Sequence, residues 1–191
     1  MKLEKISNIQ TGLVLARKRA SVMDKKVNNY KMLTLRSFEN SGWINLSNLD
    51  LFTTTEIIED KYLTKKGDIV IRLTAPYTAV SISSETELLI PSNFAVIRIL
   101  NSEFIPEFIA LILNSKTIEK EFYQSSISTT IPLIKTSHLR NVNIIEKLLT
   151  IQKKIVNLYE LQKKEGILLN KLLKQTTKLA DLSLNRIITE E

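Results

Sequence analysis

The spacing of apolar positions changes once along the chain, near residue 148. Before it, short β-rich runs alternate with turn signals. After it, to about residue 185, there is no Pro and a single Gly, and apolar positions recur at helical spacing. In the first region Leu13-Val14-Leu15 is a short apolar run after Gly12. Tyr30 to Leu35 reads as a strand, followed by turn residues Glu39-Asn40-Ser41-Gly42 and a second alternating run from Trp43 to Leu46. Lys65-Lys66-Gly67-Asp68 is a turn. It leads into the β-branched run Ile69 to Leu73, expected as a buried strand. Thr78 to Ser83 alternates, and Phe94 to Ile99 is a further strand bounded by Pro91 and Asn101.

Pro106 suits the first turn of a helix, where its missing N–H costs nothing. Phe108, Ile109, Leu111, Ile112 and Leu113 give that helix an apolar face, which Ile118 and Phe122 extend to about Tyr123. A Ser/Thr-rich loop, Gln124 to Thr130, follows, then the extended Ile131 to Ile134. Thr136 to Asn141 is a turn or short helix, and Val142 to Ile145 a last strand. Phe38 and Trp43 are expected in the core. Strands and one helix in this order predict an α+β domain over 1–147, a long helix over 148–185 and a tail over 186–191.

The long helix carries a heptad. Ile151, Leu158, Leu172 and Leu179 are spaced by sevens, with Glu165 in the gap. Leu161, Leu168 and Leu182 form a second series offset by three, with Gln175 in its gap, and Ile155 and Leu169 widen the stripe. At 1.5 Å per residue such a helix spans roughly 50 Å, longer than the domain it leaves. Ile151, Ile155, Leu158, Leu161, Leu168, Leu172 and Leu179 are therefore expected to pair with another helix as a coiled coil. Gly166, beside Glu165, is a weak point.

Composition narrows the chemistry. Among 191 residues there are no Cys, one His and four Gly. That excludes disulfides, thiolate nucleophiles, zinc-thiolate sites, histidine metal clusters and glycine-rich phosphate loops. His138 has no sequence partner for acid–base work and reads as structural. Glu56, Glu59 and Asp60 read as a solvated segment rather than metal ligands, and Asp68 as a turn residue. No apolar run approaches the length of a membrane span, and the N-terminus lacks a signal-peptide core, so a cytoplasmic protein is expected. The net charge is +7, and residues 1–40 alone carry +6 while 41–110 carry −4. The densest basic cluster is Arg17, Lys18 and Arg19, with Lys25, Lys26 and Lys31 behind it. Such an excess suits phosphate neutralisation.

The order of motifs resembles one half of a specificity (S) subunit of a type I restriction–modification system. The opening KLEKISNIQTGLVLARKR is similar to the family's K-L-x-x-I start with a strand, a Gly and basic residues. LTKKGDIVIRLTAPYTAVSI resembles its L-x-x-G-D-I-[LV] strand and following loop, and SNFAVIRI its strand ending [VL]-x-R. YKMLTLRSFENSGWINLSNLDLF resembles the passage between, up to its G-x-[IW]. FIPEFIALILNSKTIEKEFYQSSISTTIPLIKTSHLRNVNI is similar to the helix, the Ser-rich loop and the segment beyond. LLTIQKKIVNLYELQKKEGILLNKL resembles the P-x-x-[EI]-Q-x-x-I opening of a spacer helix. Ala75-Pro76-Tyr77 and Ser125 to Thr130 depart from it in lacking Gly.

The resemblance implies a non-catalytic subunit without cofactor, whose domain reads half of a split site in double-stranded DNA. Its helix would pair antiparallel with a second one, set the half-site spacing and dock methyltransferase (M) subunits, with the restriction (R) subunit in the same complex. With one domain and one helix, the chain is expected either to self-associate as a homodimer or to be half of a longer product. A self-paired half reads a palindromic split site. Arg17, Lys18 and Arg19 are then expected at phosphates or guanine edges. Arg72, Thr74 and Tyr77 are expected at the DNA from the strand end and its loop, and Ser126, Ser128, Thr129, Thr130 and Lys135 from the Ser/Thr loop. Two alternatives stay open: a coiled-coil adaptor whose basic surface is incidental, and a small metal-dependent nuclease.

Overall fold

The computed structural model describes residues 1–16, 18–21, 26–39, 42–126 and 133–189, and divides into two compact units, Met1–Lys153 and Lys154–Glu191. The first is built on a four-stranded antiparallel sheet in the order β1 (Ser7–Thr11), β8 (Phe94–Ile99), β6 (Asp68–Arg72), β7 (Ala79–Ser81). Between β1 and β6 in sequence lie β2 (Asn28–Met32), paired with β5 (Asp50–Thr54), and β3 (Phe38–Glu39), paired with β4 (Trp43–Ile44). The helices are α1 (Pro106–Leu113), α2 (Lys116–Ser126), α3 (Thr136–Asn141) and α4 (Leu149–Thr189).

β6 is apolar on both faces because both are covered. Val70 stands level with Val96 and Val80. On that face these valines pack with Leu33, Phe38, Ile90 and Phe94, and Ile44 of β4 leans on the cluster. On the other face α1 packs on β6 and β7, while α3 packs on β1. A satellite core of Leu13, Phe52, Ile58, Leu63 and Leu89 lies under β2 and β5.

The buried strands fall where the sequence places them, and the shorter elements differ for identifiable reasons. The strand expected over Tyr30 to Leu35 ends at Met32, because Thr34 and Ser37 cap each other: each backbone N–H donates to the other's hydroxyl at 3.1 Å. That closes a 3-10 turn over Leu35–Ser37. β5 has no counterpart in the sequence reading. Its Phe52 and Thr54 are buried while Leu51 faces solvent, so each face mixes an apolar with a polar residue and no apolar alternation marks the strand. The single helix expected to Tyr123 is two helices. Asn114 ends α1, and its side-chain amide accepts from the Ala79 N–H and donates to the Ala79 carbonyl, both at 2.8 Å. It thereby closes the edge of β7 as a strand would. Val142 to Ile145 makes one bridge, Asn143 with Lys2, instead of a strand. The N-terminal chain beside it turns into a 3-10 helix at Leu3, so no further rungs form. Phe38 is in the core as expected; Trp43 is not, being 39% exposed.

Asp68 does more than turn the chain. Its carboxylate accepts the Lys65 N–H at 3.0 Å, which holds the turn. The same group receives the Arg98 guanidinium at 3.2 Å from both Nε and Nη2, directly across the β6–β8 register. Arg98 Nη2 also donates to the carbonyls of Lys61 and Leu63. Gly12 has a different constraint. A Cβ there would stand 2.2 Å from the Pro91 carbonyl oxygen and 2.4 Å from that of Ile90.

α4 is rooted by Gln152, which is fully buried. Its Oε1 accepts the Ile105 N–H at 2.9 Å, and its Nε2 donates to the carbonyls of Glu103 and Lys147, each at 2.7 Å. The helix continues to Thr189, into the stretch expected as a tail. Along it Leu158, Leu161, Leu168, Leu172 and Leu179 are exposed, and Ile151 and Ile155 nearly half so.

Two substitutions test this framework. Gly12→Ala is expected to lower stability by about 1–3 kcal/mol, because backbone oxygens cannot step aside as side chains do. Asp68→Ala is expected to cost about 3 kcal/mol by stranding a largely buried guanidinium. Urea midpoints of purified variants measure both.

Candidate nucleic-acid interface

Two groups of the expected contact residues are described, in different parts of the first unit. The first gathers at the end of β6. The loop after it closes through Arg72 N–H to the Thr78 carbonyl at 3.0 Å and Thr78 N–H to the Pro76 carbonyl at 2.9 Å. Arg72 Nη2 donates to the Ala75 carbonyl at 3.2 Å. Leu73 N–H donates to the Asn93 carbonyl, and Ile134 N–H donates to the Leu73 carbonyl at 2.8 Å. Thr74 forms a bridge with Leu133. The segment carrying Lys135 is thus laid beside the strand end, and Lys135 itself is exposed where it leads into α3.

Three polar atoms at this end are buried without a hydrogen-bond partner among the described residues: Arg72 Nε, Thr74 Oγ1 and Asn93 Oδ1. A buried donor or acceptor left unmade costs free energy, so this end of the sheet retains unused hydrogen-bonding capacity. Burial lowers the Arg72 pKa, and no carboxylate among the described residues offsets it. The buried ion pair of β6 is formed by Asp68 with Arg98 and does not involve Arg72.

Tyr77 and Ser126 hold this corner together from inside. They are 4% and 1% exposed, and their hydroxyls lie 2.9 Å apart. The Tyr77 ring packs edge-on against Phe122 and Tyr123 of α2. As folded, both position the loop rather than offer atoms to a ligand. Ser128, Thr129 and Thr130 lie outside the described residues.

The second group is Lys18 and Arg19; Arg17 lies outside the described residues. Ala20 N–H donates to the Thr53 carbonyl at 2.9 Å and ties this segment to β5. Lys18 forms an ion pair with Glu56, and the Arg19 guanidinium lies 6.0 Å from the centre of the Phe52 ring. The basic cluster has no matching acidic stretch nearby in sequence, yet folding brings Glu56 to it. Glu59 pairs with Lys61 and Asp60 with Lys65, so the acidic stretch is divided among three separate lysines. No hydrogen bond or ion pair among the described residues joins the two groups. His138 lies on α3, its Nδ1 buried and without a hydrogen-bond partner among the described residues.

Sequence reasoning missed Asn93, Asn114 and Gln152. None follows an apolar period, and an isolated amide gives no signal until its partners are placed. All three lie in quoted stretches, but only Gln152 falls on a specified letter of its motif.

No protein-family model matches the chain, and no curated protein does. Solved structures do match in fold. One is a chain from work on complex assembly and conformational transition of the type I R-M system. It overlays with a TM-score of 0.63 at 15% identity, over 92% of this chain and 40% of that one. The HsdS subunit from Thermoanaerobacter tengcongensis overlays with a TM-score of 0.57 at 15% identity, over 87% of this chain and 37% of that one. The type I restriction-modification S subunit from M. genitalium gives 0.50 at 18%, over 95% and 43%. The chain therefore has the fold of a type I S subunit and spans less than half the length of each of these chains.

Tyr77→Phe separates a positioning role from a contact role. Loss of one buried hydroxyl pair is expected to cost about 1 kcal/mol of stability in a urea titration. A fall in DNA affinity with stability unchanged would instead make the hydroxyl a DNA contact.

Proposed function

We propose that the chain is a non-catalytic DNA-recognition half of a type I restriction–modification specificity subunit. The observation that carries this reading is the fold match, which covers 92% of the chain. The domain lies on duplex DNA with the β6 end and the Lys18–Arg19 segment toward it. The β6 end that carries Arg72 and Thr74 forms one contact, and the exposed Lys135 supplies a cation beside it. Arg17, Lys18 and Arg19 supply phosphate neutralisation at the other. Lys18 and Arg19 are steadied by Glu56 and Phe52, which sets their direction in the absence of DNA.

In this reading α4 pairs with a second copy, and the pair docks methyltransferase subunits, with the restriction subunit joining the same complex. Two identical halves related by a two-fold axis read a palindromic split site. The complex acts on genomic DNA and is cytoplasmic. The described structure has no helix long and apolar enough to cross a membrane. The chain itself needs no cofactor, since the chemistry belongs to its partners.

Mixing the chain with its methyltransferase subunit and sequencing the methylated DNA tests this directly. A single split palindromic motif is expected. An asymmetric split motif would mean that a different second half completes the site; no methylation and no DNA binding would leave a coiled-coil adaptor. In the same assay Arg17→Ala with Arg19→Ala should weaken binding of the complex at least tenfold. The slope of log affinity against log salt should flatten by about two, roughly one per lost phosphate contact.

A further inference from the structure

The two polar residues that interrupt the apolar seam of α4 are placed so that the helix matches itself in one antiparallel register. Glu165 occupies an a position and Gln175 a d position of the heptad. In an antiparallel pair each a residue stands level with a d residue of the other helix, so paired residue numbers have a constant sum. Setting Glu165 against Gln175 fixes that sum. The remaining layers are then Leu158 with Leu182, Leu161 with Leu179, and Leu168 with Leu172, each occurring twice by symmetry. Every apolar layer meets an apolar one, and each interruption meets the other. All six leucines are exposed in the chain as it stands.

The alternatives fail on the same residues. Moving one helix a heptad either way sets Glu165 against Leu182 or Leu168, and Gln175 against Leu172 or Leu158. Each shift leaves a carboxylate and an amide desolvated without partners. A parallel in-register pair sets Glu165 against its own copy, two carboxylates in one apolar seam. In the matched register the Gln175 amide donates to the Glu165 carboxylate of the other copy, a charge-assisted hydrogen bond. One buried polar layer of this kind is known to set register and orientation in coiled coils.

The flanks carry a cost that the seam outweighs. Lys164, Lys171 and Lys178 occupy g positions, and antiparallel pairing runs them along one shared edge, Lys171 opposite its own copy. These long side chains remain in water, where they diverge and salt screens them. Carboxylates inside the seam have no such relief. The matched stretch, Leu158 to Leu182, is about 37 Å long at 1.5 Å per residue. It ends where Lys154 would face Arg186, cations that favour water over a further layer. Gly166 falls at an outward b position, and nothing lies within 4 Å of where its Cβ would be.

We infer that α4 binds a second copy of this chain antiparallel about a two-fold axis level with Asn170, its register set by reciprocal Glu165–Gln175 pairs. This rests on the self-association in the proposed function and on the antiparallel pairing that the resemblance implies, and adds the register and the residues that set it.

The absence of cysteine makes disulfide trapping clean. The full chain is examined by light scattering, and Leu168→Cys and Leu172→Cys are oxidised alone and mixed. A dimer is expected, with a covalent product only from the mixture, and likewise only from mixed Leu161→Cys and Leu179→Cys. Added salt should tighten the dimer by screening the lysine edge. Self-cross-linking of each single variant would mean a parallel pair. A dimer with no cross-link in either mixture would mean another register. Both results overturn this inference and leave self-association standing, whereas a monomer at micromolar concentration removes both. Glu165→Leu with Gln175→Leu should keep the dimer but scatter the cross-links among registers; an unchanged pattern would show that these residues do not set it.

Discussion

The Asp68–Arg98 pair is the constraint around which the first unit is arranged. It joins the two central strands directly across their register, at the end where β6 begins. The same carboxylate closes the Lys65–Asp68 turn, and the same guanidinium holds the carbonyls of Lys61 and Leu63. Leu63 is in turn bridged to Leu89, which lies in the satellite core with Phe52. One ion pair therefore links the sheet, the turn and the smaller β2–β5 layer. With its partner removed, a largely buried charge would be left uncompensated, which is why so much local backbone is bonded to it.

The opposite end of β6 has a different character. At Asp68 the carboxylate and its Arg98 partner are both hydrogen-bonded. Near Arg72 the Arg72, Thr74 and Asn93 side chains each leave a buried polar atom without a partner among the described residues. A strand well anchored at one end and polar-rich at the other is a sound platform for contact chemistry. The rigid elements hold direction, and in the proposed reading the loop after the strand carries the groups that meet DNA. Tyr77 and Ser126 belong to the support beneath that loop, linking it to α2 through the aromatic cluster with Phe122 and Tyr123.

The long helix follows a simpler rule. Its apolar positions recur at heptad spacing over a long stretch and are exposed in the chain as it stands. The exposed leucines of the second unit and the two polar residues among them follow from periodicity alone. At its root the periodicity is silent: Gln152 is a polar residue buried within an amphipathic stretch, and only the backbone groups at Glu103, Ile105 and Lys147 explain it.

The sequence by itself determined the strongly patterned parts. β6 and β8 are legible because β-branched runs bounded by turn residues have few other uses. The start of α1 follows from Pro106, the short helix α3 from its local signals, and α4 from its heptad. The α+β character follows from their order. Tertiary structure alone decided what depends on residues far apart in the chain. It turned Asp68 from a turn residue into half of an ion pair, supplied Glu56 to Lys18, and divided one expected helix at Asn114 to close the edge of β7. It buried Tyr77 and Ser126, and it brought Arg72, Thr74 and Asn93 to one strand end. Period and turn chemistry are local, so one sequence window carries them. Ion pairs, caps and satisfied amides need a partner whose position exists only after the chain has folded.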